Sequence, residues 1–146
     1  MANEGLSVSV KFTDDNLDIK LTQIAFAVGN LKPAMKLIGA SIEQLVLLGF
    51  VDSEDPYGNE WDAIQPREDG SSVPLRDTGR LMGSFTHDAD NSSVRIGTNV
   101  EYANIHQSGI GYVHERKMLP DLGLPPLWEA EVLDTLNDYL SVVLNA

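Results

Sequence analysis

Three histidines and many carboxylates are the residues of this 146-residue sequence whose chemistry could support catalysis. The histidines are His87, His106 and His114, and the acidic residues Asp88 and Glu115 adjoin two of them. Their spacing matches no metal-ligand pattern, and a Gly-x-Gly run near residue 110 lacks the third glycine of a dinucleotide-binding loop. The sequence contains no nucleophile elbow, phosphate-binding loop or zinc-protease motif. It therefore predicts no catalytic residue, no cofactor and no metal site.

The charge balance limits the partners that the chain is expected to bind. It has 22 acidic and ten basic residues, a formal net charge of −12 and no cysteine. Affinity for nucleic acid through phosphate neutralisation needs clustered lysine and arginine, so the chain is not expected to grip DNA. The lack of cysteine excludes disulfides and thiolate metal sites and fits a reducing cytoplasm. We expect no membrane partner, because the apolar runs are far shorter than the roughly 20 residues of a membrane span and the N-terminus has no export-signal pattern.

The periodicity of apolar residues predicts a single α+β domain over residues 1–146. The expected architecture is a small, mostly antiparallel β-sheet packed against two long helices and a C-terminal helix. Gly29 and Pro33 separate the two long helices, and a turn-rich tripeptide separates the two strands of a hairpin. The predicted elements are a strand at 6–12, helices at 17–28 and 33–50, a hairpin at 85–89 and 93–98, a short helix at 101–107 and a closing helix from 126.

The same periodicities predict which side chains form the core. In the short helix, Tyr102 and either Ile105 or His106 are expected to face inward. The buried stripes of the second and closing helices are expected to be Leu37, Ile38, Ile42, Leu45, Val46 and Phe50, and Trp128, Val132, Leu136, Tyr139, Leu140 and Val143. No basic residue lies on the closing helix, whereas the acidic residues on or near it are Asp121, Glu129, Glu131, Asp134 and Asp138.

Residues 52–78 form the longest irregular segment, a loop of roughly 25 residues rich in proline and glycine, and loops of this length are usually functional. Trp61 stands nearly alone among polar residues in this loop. It either folds back as a lid on the core, as aromatic residues commonly do, or anchors an interface, where tryptophan is enriched. Tyr57 and Tyr112 are further aromatic candidates for exposure, so the sequence favours contact with other proteins.

Three motifs follow one another between residues 50 and 109. The first runs from Phe50 through Asp55-Pro-Tyr-Gly-Asn-Glu-Trp61 to Ile64, and the second is Leu75-Arg-Asp-Thr-Gly-Arg-Leu-Met-Gly-Ser-Phe85. The third runs from Val94 through Gly97-Thr-Asn-Val-Glu-Tyr102 to His106-Gln-Ser-Gly109. In this order they resemble the phage virion morphogenesis family, the tail-completion proteins of Mu-like and related contractile-tailed phages. The resemblance covers roughly residues 15–145.

The resemblance implies a structural protein of the virion tail or neck, without enzymatic activity, that is assembled in the host bacterial cytoplasm. Comparable tail terminators act as homo-hexameric rings, so the first expected partner is the chain itself. The other implied neighbours are tail tube and sheath proteins and neck or connector proteins. The family commonly has a long basic insertion after its H-Q-x-G motif, whereas here only about ten residues precede Lys117-Met-Leu-Pro120. The identity of a partner recognised through that region is therefore not implied.

The motif residues also have a plain architectural interpretation. Asp77 or Thr78 can cap the next turn, and Asn99 or Glu101 can open the short helix. Arg80 has acidic residues on either side of it in the sequence and can pair with a carboxylate of its own chain or of a neighbouring subunit. The candidate interface or bracing residues are Tyr57, Trp61, Asp77, Arg80, Asn99, Tyr102, His106, Tyr112 and Trp128.

Size arithmetic agrees with a ring that surrounds DNA. A chain of this length forms a globule roughly 40 Å across, and six of them leave an opening of about the same width. Acidic residues on the wall would repel phosphates and let DNA slide, and the closing helix either lines this opening or faces outward. Two other functions fit less of the sequence: a neck adaptor that shares the portal's twelve-fold symmetry, and a small hydrolase that uses His106 and a nearby acid.

Overall fold

The computed structural model describes residues 6–11, 29–76, 78–91, 93–121 and 123–145. The α+β prediction is confirmed, because helices pack on one face of a small antiparallel sheet. The predicted helix at 17–28 lies outside the described residues. The elements are β1 (Leu6–Lys11), α1 (Lys32–Asp52), a 3₁₀ turn (Met82–Ser84), β2 (Thr86–Ala89), β3 (Ser93–Thr98), α2 (Ala103–Ser108) and α3 (Pro126–Asn145).

The sheet has the order β1-β3-β2, and both pairings are antiparallel. The predicted hairpin is confirmed, and the Asp90 carboxylate closes its turn by accepting a hydrogen bond from the Ser93 N–H at 2.8 Å. Side chains alternate along β3, so Val94 and Ile96 are fully buried while Arg95 between them is exposed. The sheet therefore has one apolar face for the helices and one polar face.

α1 is the central helix of the core. The Asn30 side chain accepts a hydrogen bond from the Lys32 N–H at 3.1 Å, Pro33 follows in the first turn, and Ser53 ends the helix in a left-handed conformation. The prediction that Leu37 is buried is wrong, because this side chain is 44% exposed on the side away from the sheet. The buried residues are Ala34, Met35, Ile38, Gly39, Ile42, Val46 and Phe50.

By length and composition alone, α1 is long and apolar enough to cross a membrane, so the expectation that no apolar stretch reaches this length is wrong. The helix nevertheless contacts β2, β3 and α3 along its buried side. Core helices of folded domains have the same composition, because they are covered on more than one side. The apolar character of α1 is thus accounted for by packing inside the fold.

α3 packs lengthwise on α1, and a hydrogen bond of 2.9 Å joins the hydroxyls of Ser41 and Thr135 across the contact. The predicted core stripe is confirmed, since Trp128, Val132, Leu136 and Leu140 are all buried. Tyr139 and Val143, at the border of this stripe, are half-buried. The opposite side of α3 faces solvent and carries the exposed acidic residues Glu131, Asp134 and Asp138.

Phe50, at the end of α1, is the centre of an aromatic cluster. Its ring lies 5.5 Å from that of Trp61 in an edge-to-face arrangement and 5.8 Å from that of Phe85. Such pairs contribute about 0.5–1.5 kcal/mol beyond the burial of their area. Trp61 is only 8% exposed. Of its two predicted roles, the structure supports the lid that folds back on the core.

The side of α2 that faces the core includes two residues that the sequence did not indicate. Ala103 and Gln107 are buried, Tyr102 and His106 are half-buried, and Ile105 is exposed. Of the two predicted alternatives, Ile105 and His106, the structure places His106 on the inward side. The helix has fewer than two full turns, so its orientation is set by the hydrogen bonds of one polar side chain, Gln107, rather than by an apolar stripe.

A close contact between α1 and β2 gives the first prediction. A Cβ placed on Gly39 would lie 2.8 Å from Cγ of His87, whose Nδ1 is held 2.5 Å from Oε2 of Glu43. We expect Gly39→Ala to destabilise the protein by about 1–3 kcal/mol, although the same change in an open helix interior stabilises by about 0.5–1 kcal/mol. In a His87→Ala background the added methyl group should instead be neutral or stabilising. Chemical denaturation of the four proteins in this cycle measures both effects, and a stabilising Gly39→Ala in the wild-type background would contradict the prediction.

Candidate functional site

Two irregular segments, residues 53–64 and 112–123, pack against each other beside the core. Trp61 donates its indole N–H to the carbonyl of Lys117 at 2.9 Å. Arg116 donates from Nε and Nη2 to the carbonyl of Asp62 at 2.9 and 2.8 Å, and also reaches the carbonyl of Ala63 at 3.2 Å. The two loops are thus joined through side chains that bind backbone carbonyls, without a strand pairing between them.

Tyr57 extends this contact at the far end of the loops. Its hydroxyl accepts a hydrogen bond from the Asp121 N–H at 3.0 Å and donates to the carbonyl of Gly123 at 3.3 Å. The Asp55 carboxylate positions Tyr57 by accepting hydrogen bonds from the N–H groups of Tyr57 and Asn59 at 2.8 and 2.9 Å. Tyr57 and Trp61 therefore brace the first loop against the second.

Gln107 fixes the second loop to α2. Its side-chain oxygen accepts hydrogen bonds from the N–H groups of Met118 and Leu119 at 2.8 and 3.1 Å, and its Nε2 donates to the carbonyl of Leu119 at 2.7 Å. All three bonds are buried. The carbonyl of the preceding residue, His106, accepts a hydrogen bond from the Arg116 N–H at 2.7 Å.

Gly109 allows the same loop to cross close to the end of α2. Its φ is +68°, and a Cβ there would lie 2.8 Å from the backbone nitrogen of Glu115. Any other residue would be strained by this φ and would push the loop away. The His106-Gln-Ser-Gly109 motif is therefore a structural unit that docks residues 115–119, which accounts for its residue types without any catalytic role.

A cleft of about 340 Å³ opens where these loops meet α2, and we call it the arginine cleft. Four of the five arginines in the chain lie in it or beside it, although the net charge of the chain is −12. Arg67, Arg80 and Arg116 line the cleft, and Arg76 follows the lining residue Leu75. The full lining is Ile64, Arg67, Leu75, Thr78, Gly79, Arg80, Leu81, Tyr102, His106 and Arg116.

The arginines of the cleft differ in how they are satisfied. Arg116 is only 6% exposed and is held by the carbonyls described above. Arg80 is exposed, with its guanidinium carbon 5.4 Å from the centre of the Tyr102 ring, a cation–π distance. Arg76 has a buried Nε without a hydrogen-bond partner. Among the described residues, none of these three guanidinium groups pairs with a carboxylate.

His106 lies at the inner end of the cleft. Its ring meets that of Tyr102 edge to face at 6.1 Å, and its buried Nδ1 has no hydrogen-bond partner. Burial lowers the pKa of His106 below its usual value, and the positive charge of Arg116 lowers the pKa further. The imidazole is therefore kept neutral near pH 7, and among the described residues the lining of the cleft contains no carboxylate.

The remaining predicted residues lie in different places. Asn99 is exposed at a shallow depression of about 180 Å³ on the polar side of the sheet, next to Asp88 and Arg95. Tyr112 is fully exposed at the tip of the second loop, and Trp128 is buried in the core. Asp77 lies outside the described residues. The structure thus brings Arg80, Tyr102 and His106 together and separates them from Asn99, Tyr112 and Trp128.

Three functional residues were missed from the sequence. Gln107 lies on a short helix and Arg116 in an irregular loop, and apolar periodicity carries no signal for side chains that bind backbone groups. Arg76 lies within the second motif, but the sequence did not indicate that its Nε would be buried without a hydrogen-bond partner. The charge pattern offered one usable signal, because all five arginines of this strongly acidic chain fall within residues 67–116.

The fold and the arginine cleft are those of a small α+β protein equipped to make contacts through charged side chains. The profile of the phage virion morphogenesis family matches residues 13–141. A relative, Mu-like prophage FluMu G protein 2 of Haemophilus influenzae, is 32% identical over 128 residues, which cover 85% of this chain and 88% of that protein. No solved structure matches the chain. The chain belongs to the phage virion morphogenesis family, as its motifs indicated, and this membership supports a structural role in phage assembly.

The Gln107 contacts give a prediction about stability. Gln107→Ala leaves two buried N–H groups and one carbonyl without partners, and each unsatisfied group costs about 1–3 kcal/mol. We expect a loss of about 3 kcal/mol in the free energy of unfolding, measured by chemical denaturation. Gln44→Ala is the matched control, because Gln44 is exposed on α1 and its loss should cost less than about 0.5 kcal/mol. Equal effects of the two substitutions would contradict the structure.

The lowered pKa of His106 gives a prediction about acid stability. Between that pKa and about 6.5, the unfolded chain binds more protons than the folded chain, so the free energy of unfolding falls as the pH falls through this window. His106→Asn should remove this part of the loss between pH 7.5 and 5.5. His114→Asn should retain it, because the exposed His114 lies outside the cleft. Chemical denaturation at several pH values measures the slopes, and an unchanged slope in His106→Asn would count against the buried imidazole as its source.

Proposed function

We propose that this protein completes or terminates the phage tail tube and provides a docking surface for head–tail joining, as a homo-oligomeric ring around the DNA channel. The observation that carries the proposal is the family match over residues 13–141. The relative from Haemophilus influenzae supports it, because its name places it in a Mu-like prophage. In this function the protein acts by geometry: one face of the ring stops tube growth, and the other receives the neck.

The charges of the chain fit this placement. A net charge of −12 gives a ring wall that repels phosphates, so duplex DNA can pass without being held. Proteins that contact the DNA backbone usually carry their basic residues along an extended stripe. The four arginines at the cleft lie instead in or beside a half-enclosed pocket. Catalysis is not part of the proposal, since the half-buried imidazole of His106 lies among arginines and a tyrosine.

A second candidate is a neck or connector adaptor that sits between portal and terminator. The exposed apolar residues Leu37, Leu48 and Leu127 favour protein contacts of either kind. The two functions differ in copy number, because an adaptor that matches the portal would form a twelve-membered ring. The ring of the tail tube is expected to have six members.

Native mass spectrometry of the purified protein, together with electron cryomicroscopy of the phage particle, tests the proposal. We expect an assembly of six 16.0 kDa chains, and density for the chain at the junction of tail and neck. Twelve chains per assembly would favour the adaptor. Density at any other position in the particle would overturn both functions.

A further inference from the structure

We propose that the arginine cleft receives the acidic side of α3 from a neighbouring copy of this chain. The neighbour's Glu131, Asp134 and Asp138 would thereby meet Arg67, Arg76 and Arg80. This inference rests on the proposed ring and names the contact that closes it.

The cleft is built to receive an anion. Arg80 is exposed, stacks on Tyr102 and pairs with no carboxylate in the described part of the chain. Arg76 keeps a buried Nε without a partner, which a native structure tolerates only at a cost of about 1–3 kcal/mol. Arg116 adds a third positive charge, because backbone carbonyls satisfy its donors without neutralising it. A carboxylate fits such a site best, since guanidinium groups bind it through two parallel hydrogen bonds.

α3 is the element of this chain that offers carboxylates in a rigid row. Glu131, Asp134 and Asp138 are exposed at spacings of three and four residues, so they share one side of the helix over about 10 Å. Leu127 and Val142 lie on the same side, four residues before and after this row, and both are exposed. We call these five residues the α3 stripe, which has acidic residues in the middle and an apolar residue at each end.

The cleft complements this stripe in both respects. Its arginines face the carboxylates, and its rim offers the half-buried apolar side chains of Ile64, Leu75 and Tyr102 to the leucine and valine. α3 carries no basic residue that would oppose the arginines. An acidic chain repels its own copies in general, so the cleft is the place where one copy can attract another.

The contact must form between copies. α3 packs on α1, and none of its residues lines the arginine cleft of the same chain. The stripe and the cleft are two different surfaces, so each copy can give its stripe to one neighbour and its cleft to another. Such heterologous contacts generate rings when the rotation closes. The ring that the family membership suggests therefore has an interface of the required kind on this chain.

Placement of the α3 stripe in this contact replaces both of the positions that the sequence suggested for the closing helix. The closing helix was expected either to line the DNA channel or to face outward, and here it lies between subunits. Because the contact is made of charged pairs near the surface, it is expected to weaken as salt rises. Ring dissociation in high salt is thus a further expected property of the assembly.

Charge reversal on each surface tests the inference. The cleft variant is Arg67→Glu with Arg80→Glu, and the stripe variant is Asp134→Arg with Asp138→Arg. We expect each to be monomeric at concentrations where the wild type assembles, because like charges then face each other. Lys36→Glu is the control, since Lys36 is exposed on α1 away from both surfaces and its reversal should leave the ring intact. Thermal unfolding of each variant shows that it is folded.

A mixture of the two variants in equal amounts is the decisive measurement. In an alternating ring, the reversed stripe meets the reversed cleft and the native stripe meets the native cleft, so native mass spectrometry should show a return to the wild-type mass. The stripe variant alone keeps the test valid if the cleft variant does not fold, because its two substitutions are on the exposed side of a helix.

Four outcomes overturn the inference, and one of them also overturns the ring. Either variant with the wild-type mass shows that the contact lies elsewhere, and folded variants that fail to assemble when mixed show that stripe and cleft do not meet. Binding of a labelled DNA duplex by the wild type that is lost in the cleft variant, at unchanged mass, would assign the cleft to nucleic acid. A wild-type protein that remains monomeric at every concentration and salt would overturn the proposed ring itself.

Discussion

The arginine cleft and the two loops beside it depend on one buried amide, the side chain of Gln107. Gln107 holds Met118 and Leu119 by three hydrogen bonds and so fixes the loop whose carbonyl at Lys117 receives Trp61. The same loop places Arg116 under the cleft. Long irregular loops ordinarily lose too much conformational entropy to adopt one shape, and here bonds from side chains to backbone take the place of a strand ladder. A single polar side chain therefore controls a surface to which two loops and a short helix contribute.

The charge of one local surface, the arginine cleft, is opposite in sign to the net charge of the chain. The sum is strongly acidic, yet most of the arginines converge on a half-enclosed cleft beside α2. A cation in such a place loses water contacts and gains from any anion that enters, because the effective dielectric constant is lower than in bulk water. In the proposed ring, the net charge would keep DNA from binding the wall, whereas the cleft would receive the neighbouring copy.

Most of the regular structure could be predicted from the sequence, because apolar residues recur with the period of each element. β1, α1, the hairpin and α3 follow this rule. Leu37 deviates because it lies on the side of α1 that is opposite the buried residues. The orientation of α2 could not be predicted, since its position is set by the hydrogen bonds of Gln107 rather than by an apolar stripe. The cleft could not be predicted from the sequence for a similar reason, because residues 67, 80 and 116 come together only when both loops have docked.

The short strand at the edge of the sheet has a consequence for how copies of this protein can associate. An open edge offers unpaired backbone groups to any extended chain, and long edges lead to uncontrolled stacking. β2 has only four residues, and the charged Asp88 in it opposes Arg95 of β3 on the exposed face. Backbone pairing between copies is thereby discouraged at this edge. Association at this edge is left to side chains, which specify angle and copy number and so favour a finite particle over a fibre.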